Sequence, residues 1–136
     1  MPDSQLKNVP FFSHLSKKEL STVAQHTDQV DVQAGKELAR QGDFGHEFFV
    51  ISEGTAEVLR DGTRIAELGP GDFFGEMALL DADRRMATVR ASSPMQVLVM
   101  TRQSFRDIHR SMPDVHDAVS AAIAQRKASA QEATTG

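Results

Sequence analysis

The sequence predicts a mainly β domain: a barrel or sandwich of short antiparallel strands, with one helix before it and two after it. Three observations carry this. Eight of the nine glycines fall between Gly35 and Gly75 and punctuate short apolar runs; turn signals so closely spaced mark many short antiparallel strands. Two runs, "HEFFVIS" and "MQVLVMT" at 95–101, are apolar at consecutive positions, so both faces of these strands are expected to be covered. The two ends of the chain instead carry helix-start signals and a helical apolar period.

At the front, Ser16 and Glu19 have the spacing of a capping box, with Leu15 and Leu20 at the positions of a hydrophobic staple. They predict a helix over about 16–26. The barrel is expected over about 28–100. Within it, "KELARQ", "TAEVLRD" and "TRIAEL" read as strands. Asp61-Gly62 is a two-residue hairpin signal, and "GPGD" at 69–72 is a further turn.

At the back, Thr101 caps a helix with Phe105, Ile108 and Met112 on one face. Ser111 and Asp114 around Pro113 signal a second start. Val115, Ala118, Val119, Ala122 and Ile123 then form an apolar stripe, with Arg126 and Lys127 suited to a helix C-terminus. The stripe is packing for the barrel and also a candidate dimer seam. These helices are expected over about 101–128, followed by a frayed tail at 129–136, "ASAQEATTG" from Ala128 onward being small and polar. No repeat or linker divides the chain, so 1–136 reads as one domain.

Composition narrows the function. Of 136 residues, 40% are apolar and 25% charged, and the net charge of −4 gives no general pull towards nucleic acid or anionic membrane. Without cysteine there is no thiolate nucleophile, disulfide or Cys-based metal site. "MPDSQLKNVPFF" lacks the apolar core of a signal peptide, and no run reaches membrane-span length; the expected setting is cytoplasmic. His14, His26, His46, His109 and His116 are scattered with no His-x-His pair, so a metal centre is not expected and the predicted metal set is none. No nucleophilic triad can be assembled, and catalysis by this chain alone is not expected. The tail "QRKASAQEATTG" is too short and polar for a helix-turn-helix, so DNA binding by this chain alone is not expected either.

The chemistry concentrates in "FFGEMALLDADRRMATVRA", 73–91. Gly75 permits close approach of a ligand to the backbone, and the first amides of a helical turn starting there lack internal partners and suit an anion. Glu76 repels an anion but accepts hydrogen bonds from hydroxyls beside one. Arg85 supplies a planar fork for phosphate oxygens. Together they suit a ligand with both phosphate and sugar hydroxyl. Glu76 and Arg85 as a structural ion pair is the plainer alternative. Arg84 and Arg90 read as solvated face residues, and Met77, Met86, Met95 and Met100 as core filler.

This stretch resembles the phosphate-binding cassette of cyclic nucleotide-binding domains. The matching residues are Phe74, Gly75, Glu76, Met77, Ala78 and Leu79, then Arg85, Ala87, Thr88 and Val89. "GDFGHEFFVISEGTAEVL" and "GPGDFFGE" are similar to the segments preceding the family's cassette, and the likeness runs from about residue 10 to 125. The resemblance implies an antiparallel β-roll of jelly-roll type with flanking helices. It implies that Glu76 accepts from the ribose 2′-hydroxyl and Arg85 pairs with the cyclic phosphate. Backbone amides from Gly75 to Ala78, and of Met86 and Ala87, would complete the cradle, with Phe74 and Met77 beside it. The C-terminal helices would act as lid or relay. Met86 stands where the family has Ala, Ser or Thr, so cAMP is expected ahead of cGMP. No cofactor beyond that ligand is implied. The expected output is an effector protein or a homodimer through the last helix; the alternative is the same fold without nucleotide binding, serving as an interaction module.

Overall fold

The computed structural model describes the backbone of residues 2–81 and 83–135 and the side chains of 4–81 and 84–126. Two short helical pieces come first: α1 (Pro2–Lys7) and a 3-10 turn, Pro10–Phe12. α2 (Lys17–Gln25) follows, and both bonds of the expected capping box are present: Glu19 N–H donates to Ser16 Oγ and Ser16 N–H to Glu19 Oε1.

The strands then run β1 (Asp28–Val32), β2 (Glu37–Ala39), β3 (Phe44–Gly45), β4 (Glu47–Glu53), β5 (Ala56–Arg60) and β6 (Thr63–Leu68). They continue with β7 (Phe73–Phe74), a 3-10 turn at Glu76–Leu79, β8 (Asp83–Arg84), β9 (Thr88–Ala91) and β10 (Met95–Thr101). α3 (Arg102–Ser111) and α4 (Pro113–Thr135) close the chain. One antiparallel sheet has the order β1-β10-β4-β7, the other β2-β9-β5-β6, and β3 pairs with β8 alone. This is the β-roll with N- and C-terminal helices that the sequence predicts. The hairpin between β5 and β6 turns at Asp61 (φ 53°) and Gly62 (φ 80°), the two positive φ angles of a type I′ turn.

β4 and β10 sit at the centre of the first sheet and explain the layering. Phe48 and Val50 on β4, with Leu98 and Met100 on β10, face the helices; Phe49 and Ile51, with Val97 and Val99, face the interior between the sheets. Because side chains alternate along a strand, one strand serves two cores, which is why both runs are continuously apolar. The helix-side core also takes Leu6 and Val9 near the N-terminus, Phe105 and Ile108 on α3, and Val115, Val119 and Ile123 on α4. The stripe on α4 is thus spent largely on its own barrel, with Ala118 left exposed. Phe11, Phe12, Phe48 and Phe73 form an aromatic cluster with centroids 4.8–6.3 Å apart, edge-to-face except for the tilted Phe11–Phe48 pair. Among the described residues no helix is long and apolar enough to cross a membrane.

Three sequence expectations are corrected. α1 is absent from the prediction because six residues are too short to show a helical period. Ser111 does not open the last helix: it ends α3, its hydroxyl donating to the Ile108 carbonyl, and α4 opens at Pro113, where a missing N–H and fixed φ suit a first helical position. α4 continues to Thr135 instead of ending near 128, consistent with the good helix formers Ala, Gln and Glu after Lys127. Gly136 lies outside the described residues.

Candidate functional site

The site is assembled where β7 leaves the first sheet. Phe73 turns towards the helices, while Phe74 stacks on Phe49 inside the roll, centroids 4.8 Å apart and planes 18° apart. Gly75 then takes a left-handed conformation (φ 84°, ψ 15°) and starts the 3-10 turn, a backbone state that disfavours any side chain. Ala78 N–H bonds back to Gly75 C=O at 3.1 Å, whereas the first amides of the turn are those that lack intrahelical partners.

Arg85 enters from the other side. Its backbone is pinned to the turn at 42–43: Arg85 N–H donates to Asp43 C=O (2.8 Å) and Gly42 N–H to Arg85 C=O (2.9 Å). The side chain runs between two glycines. A Cβ on Gly45 would sit 2.5 Å from the guanidinium carbon, and one on Gly75 would sit 2.5 Å from Nη1. Nη2 donates to the main-chain carbonyl of Glu47 at 2.7 Å. Burial pushes the Arg85 pKa below its ordinary value, against the upward pull of the Glu47 and Glu76 carboxylates; the group stays a cation at neutral pH.

All eight residues expected at the site, Phe74, Gly75, Glu76, Met77, Ala78, Arg85, Met86 and Ala87, line one cavity of about 320 Å³. Ala39, Val58, Leu68 and Val89 give it an apolar wall, and Arg84 borders it. The cavity therefore has a cationic and backbone-rich end and an apolar side. Met86 is 74% exposed at its rim, which corrects its reading as core filler; Met95 and Met100 are buried and Met77 packs on the helix-side core. Arg90 pairs with Glu57 on the sheet surface. Arg84 donates to the Gly42 carbonyl and lies 4.4 Å from the centroid of the exposed Phe44 ring.

Glu76 does not pair with Arg85. Its carboxylate lies 3.5 Å from Nη2 of Arg126 on α4, and that guanidinium sits 4.9 Å from the Phe73 ring centroid. The sequence reads Arg126 as a helix-end cation; the packing of α4 on the roll instead presents it to the site. Arg102, the first residue of α3, is a second missed contact: it donates to Ala78 C=O (2.7 Å) and Gly45 C=O (2.9 Å). It thereby ties the 3-10 turn and β3 to the start of the C-terminal helices. Its place directly after the Thr101 cap was the available signal.

Residues 29–112 match the model of the cyclic nucleotide-binding domain. The chain belongs to that family. As a cyclic nucleotide-binding domain it is 34% identical over 119 residues to the cAMP-dependent protein kinase regulatory subunit of Schizosaccharomyces pombe. That alignment covers 82% of this chain and 29% of the relative, so the domain spans under a third of the curated protein it matches. Among solved structures it is similar to the N-terminal domain of a transcriptional regulator from Streptomyces coelicolor A3(2), with a TM-score of 0.84, 26% identity, and 96% of this chain and 94% of that one covered. The Thermus thermophilus catabolite activator protein matches with a TM-score of 0.75 and 28% identity, over 93% of this chain and 62% of that one.

Proposed function

We propose that the domain is a receptor for a cyclic nucleotide, cAMP ahead of cGMP, and that binding repositions α3 and α4 to signal to an effector protein or a second copy in a cytoplasmic setting. The observation that carries this is Arg85: a half-buried guanidinium threaded between Gly45 and Gly75, bonded to a neutral carbonyl, at the backbone-rich end of a cavity with an apolar side. That end suits a cyclic phosphate, since an Arg fork matches phosphate oxygens, and the apolar side suits a purine. Glu76, which lines the same cavity, would accept from a ribose hydroxyl. Family membership and a cAMP-dependent relative support the same ligand class.

The contact between Glu76 and Arg126 favours a second reading, in which Glu76 serves a structural ion pair and the domain is an interaction module. Calorimetric titration separates the two. Saturable binding of cAMP, with weaker binding of cGMP, supports the receptor; no heat with either nucleotide at micromolar protein supports the module.

A further inference from the structure

We propose that His109, His116 and Asp117 form a binding site for a first-row transition-metal dication of the zinc class, at the joint between α3 and α4. His109 lies on the last turn of α3, and His116 and Asp117 lie near the start of α4. The chain breaks helix at Met112, whose N–H still bonds Ile108 C=O (2.8 Å) while its own carbonyl accepts from His116 N–H (3.0 Å). The break folds residues seven positions apart onto one another.

Three donor atoms converge there. Asp117 Oδ1 lies 3.0 Å from His116 Nδ1 and 3.8 Å from His109 Nε2, and all three lie within 4.8 Å of one another. The second distance is too long for a hydrogen bond, so His109 is aimed at the carboxylate without being bonded to it. Zinc bonds to nitrogen and oxygen of about 2.0–2.2 Å in a tetrahedral arrangement set ligand atoms about 3.4 Å apart. The observed spacings of 3.0 and 3.8 Å bracket that value.

The rings are already oriented. His116 stacks on the buried Phe105 ring at 4.5 Å, and His109 meets His116 edge-on at 4.9 Å and 89°. Two imidazoles and one carboxylate suit zinc, cobalt, nickel or copper and discriminate against magnesium and calcium, which take oxygen shells. His109 and Asp117 are exposed, so the remaining coordination positions face solvent. Among the described residues no other trio of His, Asp or Glu donors gathers as closely. A cation held there staples α3 to α4. The site does not depend on the nucleotide reading.

The test is calorimetric titration of the full chain, free of any polyhistidine tag, with Zn²⁺ and in parallel with Mg²⁺. One zinc per chain and no magnesium binding are expected. His109→Ala and Asp117→Asn, both exposed positions with little packing to lose, each lower zinc affinity at least about tenfold, while His14→Ala leaves it unchanged. Zinc raises the melting temperature of the parent and not of His109→Ala. Absence of stoichiometric zinc binding overturns the site and leaves only the hydrogen bond between His116 and Asp117. Equal zinc affinity in all four proteins also overturns it, because the metal is then held by histidines elsewhere.

Discussion

Gly45→Ala separates the shape of the site from its charge. Gly45 has no positive φ, so a methyl there strains no backbone. It would, however, lie 2.5 Å from both Cζ and Nε of Arg85. The obstructing atoms are the far end of a flexible side chain, so the guanidinium moves and the fold stays. Stability then changes little: the Glu47 carbonyl loses a hydrogen bond, for which net losses of about 0.5–1.5 kcal/mol are typical, and the added methyl restrains the unfolded chain by about 0.4–1 kcal/mol. The melting temperature should move by less than about 5 °C. Binding is affected differently. A hydrogen bond to a charged partner contributes about 1.5–3 kcal/mol, which at about 1.4 kcal/mol per tenfold is roughly a ten- to 150-fold loss of cAMP affinity. Calorimetric titration measures the loss, and circular dichroism melting checks the fold. Parental cAMP affinity in a folded Gly45→Ala protein would refute the placement of Arg85 as the phosphate partner.

Arg85→Ala should abolish cAMP binding at micromolar protein, since cutting one partner of a buried charge pair costs about 2–5 kcal/mol; a titration curve like the parent's would move the pocket elsewhere. Glu76→Ala should weaken cAMP and spare 2′-deoxy-cAMP, and equal losses for both would remove the 2′-hydroxyl contact. Met86 offers guanine no hydroxyl, and because it is 74% exposed an amine beside it keeps part of its water, so cAMP should be preferred at the low end of an unpaired donor's cost of about 1–3 kcal/mol, roughly fivefold; Met86→Thr should narrow the gap by strengthening cGMP, and an unchanged ratio sinks the idea. Saturating cAMP should change amide exchange over residues 105–125 more than in β4 or β10, whereas uniform change would leave binding without a switch.

What was legible in the sequence is what neighbours in the chain decide. The capping box at Ser16, the Asp61-Gly62 turn, the Thr101 cap and the two-faced apolar runs each rest on a few adjacent residues, and each reappears in the fold. The cassette was readable because its Gly, Glu and Arg share one stretch of 11 positions, 75–85. Illegible were contacts made across distance or by the main chain. The Arg85 partner is a backbone carbonyl 38 positions away, a group every residue owns. Arg126 meets Glu76 across 50 positions, a contact set by how α4 packs on the roll and not by any neighbour in the chain. His109 and His116 look scattered until the helix break at Met112 superposes them.

The carbonyl that holds Arg85 has a consequence for how the domain would be read in any medium. A carbonyl fixes the direction of a guanidinium without neutralising it, and the Glu47 and Glu76 carboxylates act on it only through space. The guanidinium threaded between Gly45 and Gly75 therefore offers its charge to small tetrahedral anions in general. If Arg85 holds a cyclic phosphate, inorganic phosphate and sulfate should compete with the nucleotide, and a titration repeated in phosphate buffer should show a weaker apparent affinity than one in a buffer without tetrahedral anions.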